Sequence, residues 1–226
     1  MRKIAIYDLD RTILKTPTFT AFLIFAARRR GRSLIWRAPV WIGALIGYKL
    51  RLYARKPLKQ FGIALFIGRW TEQSAMDELA RQFAADVVPA DVQPGAAQAI
   101  AQDRASGYRL VIATAAPEFY VRQIAERLSF DDYLATRHIC DDGRIGHRID
   151  GENCYGAEKL RRVKAWLEQQ DADRAACEII AYSDHISDAP LLDWADTAMC
   201  ITSKAGLAAE AEKRGWRVAD FAVTPH

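Results

Sequence analysis

Four short apolar runs limit what this chain can fold into. Lys3–Tyr7 (KIAIY), Arg109–Ala113 (RLVIA), Glu178–Tyr182 (EIIAY) and Thr197–Ile201 (TAMCI) are continuous rather than alternating in hydropathy. Runs of that kind suit strands buried on both faces of a parallel sheet. Helix-period segments separate them. Val121, Ile124, Ala125 and Leu128 follow the i, i+3, i+4, i+7 rule, with Pro117 in a first-turn position. Leu160, Val163 and Leu167 mark a second helix. Met76, Leu79, Ala80 and Phe83 mark a third, for which Ser74 and Asp77 form a capping box. Alternating strands and helices predict an α/β fold: a doubly wound, mainly parallel, Rossmann-like sheet. CDDGRIGHRI, at 140–149, reads as a hairpin turning on Asp142–Gly143. His138 and His147, on either side of that turn, are expected at the surface.

The charge pattern sets one region apart. Between Ile13 and Trp70 there are twelve Lys or Arg and no Asp or Glu, although the whole chain nets only +4. The same block is apolar (TFTAFLIFAA, LIWRAPVWIGALIGYKL, FGIALFIGRW). It reads as an inserted helical subdomain, a cap over 16–89, with a catalytic core made of 1–15 and 90–226. Short hinges near 14–18 and 88–95 would join the two. The basic face has three readings: a solvated surface, a lid over a phosphorylated substrate, or an interfacial amphipathic surface. No recognised motif accompanies it, so no nucleic acid is expected.

Other classes fall away on simple counts. With 50% hydrophobic and 27% charged residues the chain is ordinary globular material, not a disordered or low-complexity one. The longest uncharged stretch, Thr16 to Ala27, has twelve residues, whereas a spanning helix needs roughly 18. The N-terminal apolar run stops at Asp8, which does not fit a signal peptide. Cys140, Cys154, Cys177 and Cys200 contain no CxxC pair. They are expected as reduced thiols in a cytoplasmic protein.

Ligands of open α/β sheets bind beyond the carboxyl ends of the strands. There the sequence delivers DLDRT (Asp8, Leu9, Asp10, Thr12), then Thr114, Ala115 and Ala116 at an expected helix start. Lys159 follows in GAEKLRRV, and SDHISD brings Asp184, His185 and Asp188. Phosphoryl transfer uses these residue types. Carboxylates can hold a hard dication or attack phosphorus, and a second carboxylic acid can protonate a leaving oxygen. A hydroxyl with helix-start amides suits an anionic phosphate, and an ammonium offsets the charge that develops. Each element alone is common; the ordered set at strand ends is not.

DLDRT, ATAAPEF, Lys159 and SDHISDAPLL resemble the four ordered motifs of the haloacid dehalogenase superfamily of phosphohydrolases. The chain is most similar to the phosphoserine-phosphatase-like branch, which inserts a helical cap between the first and second motifs. The resemblance implies an Mg²⁺-dependent phosphomonoesterase working through an aspartyl phosphate on a small phosphorylated metabolite such as an amino-alcohol phosphate. It implies Asp8 as nucleophile and Asp10 as general acid and base. Asp8, the Asp10 carbonyl and Asp184 would hold Mg²⁺. Thr114 and Lys159, with the backbone of Leu9 and Ala115, would bind phosphate. Thr12, Asp188 and His185 would support the site. Three places depart from the pattern: Arg11 stands where the family has Gly, Ser183 and His185 alter the fourth motif, and Ala116 follows the second. No Glu lies early in the insert, where phosphoserine phosphatases carry one for the substrate amine. Two other readings stand beside this one: a membrane-surface phosphatase of a lysophospholipid-like amphiphile, and a silent phosphate-binding protein of the same fold. The oligomeric state is not legible.

Overall fold

In the computed structural model, residues 1–31, 33 and 36–223 are described. Arg32, one of the twelve basic residues of the 13–70 block, and Leu34 and Ile35 lie outside them. The elements in chain order are β1 (Arg2–Tyr7), α1 (Thr18–Arg29), α2 (Arg37–Lys49), α3 (Arg55–Phe66), β2 (Trp70–Glu72), α4 (Gln73–Asp91), α5 (Pro94–Ala105), β3 (Arg109–Pro117), α6 (Glu118–Arg127), β4 (Asp132–Thr136), β5 (His138–Asp141), β6 (Arg144–Ile149), α7 (Ala157–Gln169), β7 (Cys177–Ser183), α8 (Ala189–Trp194), β8 (Thr197–Ile201), α9 (Ala205–Lys213) and β9 (Arg217–Ala219).

Six strands form one parallel sheet in the order β4-β3-β1-β7-β8-β9. The four apolar runs are its four central members, as their continuous hydropathy requires. The period of two splits them between two cores. Ala5, Tyr7, Leu110 and Ile112 face the cluster that includes the insert. Ile4, Ile6, Val111, Ala113, Ile179 and Ala181 face the opposite cluster, with Val163, Trp166 and Leu167 of α7. Each fully buried Ile or Val there contributes about 2 kcal/mol by leaving water. Beneath the sheet, the stacked rings of Tyr7 and Tyr182 (4.2 Å) both donate to Asp103 Oδ2, at 2.6 and 3.0 Å. That satisfies three buried polar groups at once.

Helices α1 to α4 follow β1. Phe22 of α1, Phe83 of α4 and Phe119 and Tyr120 of α6 form one aromatic cluster, with ring centroids 4.8–5.6 Å apart. Gly62 lets α3 approach its neighbours, since a Cβ there would lie 2.8 Å from Leu23 and 2.9 Å from Trp41. The apolar stripe Met76, Leu79, Ala80, Phe83 is buried as expected, but the capping box is not formed. Glu72 pairs with Arg144 across β2 and β6, which fixes its backbone extended. The helix therefore starts at Gln73, ahead of Ser74, and Asp77 pairs instead with Arg122 at 2.7 Å. Where the insert meets the sheet, Lys15 N–H donates to Asp91 O and Gln93 N–H to Ile13 O. Helix α4 runs through Pro89 to Asp91, leaving no loop at 88–91.

The hairpin turns on Asp142 and Gly143, both left-handed (φ 45° and 68°). A two-residue turn of that kind needs this geometry. Its partner β2 was not foreseen; it completes a three-stranded antiparallel sheet, β2-β6-β5. His147 is half-buried, with its Nδ1 3.1 Å from Arg69 O. His138 is not at the surface. It is 6% exposed, tilted against Phe119 at 5.1 Å, and neither ring nitrogen has a partner. Its position at the start of β5, where the strand runs under α6, buries the ring. Burial, with Lys59 adding to it, pushes its pKa down to about 3.

The unfolded chain therefore takes up this proton from about pH 6.5 downward while the folded chain does not. The stability His138 contributes is present above that value and is lost as pH falls toward 3. His138→Phe is expected to equal wild type in thermal stability at pH 8. It should exceed wild type by about 3 kcal/mol at pH 4. Equal acid sensitivity in both proteins would refute this account.

Candidate active site

The sheet order reverses direction at β1, with β3 on one side and β7 on the other. The crevice beyond these three carboxyl ends is where an open α/β sheet binds ligands. A cavity of about 390 Å³ lies there, lined by Asp8, Asp10, Thr114, Lys159, Asp184 and Asp188 among others. Each arrives by a short path from a strand. Asp8 directly follows β1 and donates its N–H to Tyr182 O. Asp184 directly follows β7. Lys159 stands in the first turn of α7, whose N-cap, Gly156, has φ 61°. A side chain would strain that left-handed turn.

Thr114 does not open a helix. Its strand continues to Pro117, and pairing with β4 jumps from Ala113–Leu134 to Pro117–Thr136. Thr114, Ala115 and Ala116 thus bulge opposite a single residue, and Pro117 becomes the N-cap of α6 rather than a first-turn residue. Bulges re-aim side chains beside active sites. Here the Thr114 hydroxyl accepts from Ala116 N–H at 3.2 Å.

Lys159, 2% exposed, donates to Asp8 Oδ1 at 2.9 Å and to Asp188 Oδ2 at 2.6 Å. Ser183 donates to the same Asp188 oxygen at 2.7 Å, while Asp188 Oδ1 is buried without a partner. Asp10 Oδ1 accepts from Thr18 N–H at 2.9 Å and from its hydroxyl at 2.7 Å; Tyr120 is 3.0 Å from that hydroxyl. Since Thr18 gives its proton to Asp10, Tyr120 donates to Thr18, and the row fixes the Asp10 carboxyl. Burial pushes Asp8 up to about 7, against the pull of Lys159, and raises Asp10 against its Thr18 bonds. Burial likewise lifts Asp184 to about 6, against Arg11. Burial works against the Lys159 charge, but Asp188 and Asp8 outweigh it and hold the amine above its usual range.

The remaining expected residues fall into place differently. Leu9 is fully buried and outside the cavity lining, so any contact with substrate runs through its backbone. Thr12 is fully buried with its hydroxyl unpartnered; its carbonyl, with that of Arg11, accepts from Gln93 Nε2 at 2.8 and 2.9 Å. His185 lines the cavity, and its Nδ1 accepts from Ser187 N–H at 3.1 Å. Arg11, in the position where Gly was expected, takes a left-handed φ of 65° and also lines the cavity. The conformation that favours Gly is kept, at a cost of about 1 kcal/mol for a side chain with a Cβ.

The insert contributes residues that the motifs did not reveal. Phe19, Trp41, Leu45, Tyr48, Arg55 and Lys59 wall the cavity. Lys59 is 6% exposed and donates to Ala115 O and, at 3.1 Å, to Asn153 Oδ1. Burial and then Arg55 push its pKa down to about 7. Arg55 stacks over Tyr155 at 4.1 Å. The signal for both was Arg55-x-x-x-Lys59, one helix face within the basic block.

No group of three His, Cys, Asp or Glu side chains is drawn into a metal cluster among the described residues. The oxygens nonetheless suit a hard dication that takes one or two carboxylates and fills its shell with water and substrate. Asp8 and Asp184 resist ionisation where they lie, and the orphaned Asp188 oxygen adds a further acceptor.

The family comparison agrees with this geometry. The haloacid dehalogenase-like hydrolase model matches residues 5–193, and the chain belongs to that family. Protein CicA of Caulobacter vibrioides is 32% identical over 191 residues, covering 84% of this chain and 82% of the relative. A probable phosphatase of Mycobacterium tuberculosis is 27% identical, covering 97% and 76%. A protein of unknown function from Bordetella pertussis Tohama I shares the fold at a TM-score of 0.88 and 24% identity, covering 98% and 99%. Solved phosphoserine phosphatases, one a phospho-aspartyl intermediate analogue, share it at TM-scores of 0.56–0.69. The family and its phosphatase-named relatives support a phosphatase.

Proposed function

We propose that the chain is an Mg²⁺-dependent phosphomonoesterase that works through an aspartyl phosphate on Asp8. The observation that carries this reading is the Asp8–Lys159–Asp188 ion pair at the floor of a cavity that Asp10 also lines. In the first step an Asp8 carboxylate oxygen bonds to phosphorus as the ester bond breaks. Asp10 gives its proton to the leaving oxygen; burial, which raises its pKa, helps it to hold that proton beforehand. In the second step Asp10, now a carboxylate, takes a proton from water as that water bonds to phosphorus. Asp8 leaves and inorganic phosphate is formed. Thr114 and the backbone N–H groups of Leu9 and Ala115 hold the phosphoryl oxygens, and Lys159 offsets their charge. Mg²⁺, held by Asp8, the Asp10 carbonyl and Asp184, would supply charge stabilisation for the transferred group. Asp188 fixes Lys159; His185 shapes the loop that bears Asp184 through its bond with Ser187.

In this reading, 1–15 and 90–226 are the catalytic core and 16–89 the cap that closes over substrate and excludes water. Substrate is a small phosphorylated metabolite. The part of the cavity wall that comes from the cap supplies aromatic rings and the cations Arg55 and Lys59 and contributes no carboxylate of its own. That favours a leaving group without positive charge over an amino alcohol. All four thiols are free, which fits a reducing compartment such as the cytoplasm.

Phosphate release from an aryl phosphate is expected to require Mg²⁺ and to stop on chelation with EDTA. Turnover that is indifferent to EDTA and to added Mg²⁺ would refute the metal-assisted reading.

A further inference from the structure

Helix α2 has two apolar faces, and only one of them is used inside the molecule. Trp41, Leu45 and Tyr48 line the cavity. On the other side, Trp36, Val40, Ile42, Ile46 and Leu50 are between 43% and 66% exposed. At 100° per residue these five, with exposed Pro39 and Gly43, fall within one sector about 160° wide. No polar side chain interrupts it, and Lys49 stands at its margin. An exposed helix face is ordinarily polar, and a contiguous apolar one marks an interaction site.

The charge carried by the segment around α2 is of one sign. Residues 13–70 carry twelve Lys or Arg and no carboxylate. Lys49 and Arg51 lie at the C-terminal end of α2, and neither makes an ion pair among the described residues. Trp36 at the N-terminal end carries the Arg37 guanidinium over its ring at 4.1 Å. An apolar stripe about 20 Å long with cations at both ends matches a helix lying in a lipid interface: side chains enter the acyl boundary while ammonium and guanidinium groups meet anionic headgroups. A second copy of the chain would set the same cations against one another.

We propose that the outer face of α2 docks on an anionic lipid bilayer. This places one wall of the substrate cavity on the membrane, because the same helix supplies both. The proposal does not depend on the phosphatase chemistry.

The test is co-sedimentation of the full chain with phosphatidylcholine vesicles containing about one third phosphatidylglycerol. Binding is expected at low salt and should weaken at least about tenfold in 0.5 M NaCl, where the screening length falls to a few ångströms. Ile42→Glu with Ile46→Glu should abolish it. Lys49→Gln and Arg51→Asn together should reduce it at least about tenfold. Circular dichroism and aryl phosphate turnover check that the variants fold. Three results would overturn the proposal: no binding at low salt, equal binding to pure phosphatidylcholine, or unchanged binding by the Ile42/Ile46 variant. Self-association that the Ile42/Ile46 variant breaks, without vesicle binding, would assign the face to a second copy instead.

Discussion

Asp8→Asn is expected to lower Mg²⁺-dependent phosphate release by at least about four orders of magnitude, because an amide cannot form the proposed aspartyl phosphate. The shape of the site should survive. Asn at this position still offers an oxygen to Lys159, which lies 2.9 Å from Asp8 Oδ1. The variant should be at least as stable as wild type without metal, since it removes one of several buried carboxyls. The sign can be checked against pH. Burial raises the Asp8 pKa to about 7 in the folded chain, above the usual carboxylate value near 4. The folded state therefore binds this proton more tightly, and the stability so gained is present below pH 4 and lost as pH rises through 7. Metal-free wild type should lose thermal stability across that window more steeply than Asp8→Asn, and Mg²⁺ should restore it in wild type. A variant that keeps turnover would remove Asp8 from the chemistry. Parallel pH profiles would show that its carboxyl is not strained by burial.

Much of the site was legible because its residues sit next to strand ends. Asp8, Thr114 and Asp184 each follow or end a short apolar run, and a parallel sheet brings such ends together whatever the lengths between them. Lys159 and Asp188 came with their motifs. Contacts made across long sequence separations were less visible. The i, i+4 spacing of Arg55 and Lys59 puts them on one helix face, but it does not show that Lys59 is buried against Ala115 and Asn153 once α3 is packed. Thr18 reads as an ordinary helix-start residue, but it holds Asp10 and in turn is held by Tyr120, 102 residues away. Strand β2 is only three residues long and gains its structure by pairing with β6. That pairing overrode the capping signal at Ser74. At His138 residue type was a poor guide, because the ring is buried by α6 rather than by its own strand.

Lys159→Met keeps most of the apolar stem and removes the ammonium, with its charge and its hydrogen bonds to Asp8 and Asp188, so it isolates what that group contributes. In wild type that ammonium lies between Asp8 Oδ1 and Asp188 Oδ2, with all three side chains largely out of water. Removing one partner from a buried ion pair costs about 3–5 kcal/mol, because the remaining charges stay desolvated. For a chain of this size that corresponds to a fall of roughly 10 °C in Tm. The loss should depend on pH in a defined direction. Without the ammonium, the Asp8 carboxyl loses the interaction that opposed its burial, so its folded pKa rises further above the unfolded value. The variant's deficit should be small near pH 5, where the carboxyl keeps its proton, and large at pH 8.5. A dication placed among the same oxygens can offset part of the charge, so excess Mg²⁺ should recover some stability at pH 8.5. It should not recover turnover, which is expected to stay at least about a thousandfold below wild type, because in the proposed mechanism the lysine also offsets charge on the phosphoryl oxygens. A deficit of equal size at both pH values would mean that Lys159 acts by packing alone. Full recovery of turnover with Mg²⁺ would mean that its charge is interchangeable with the metal's.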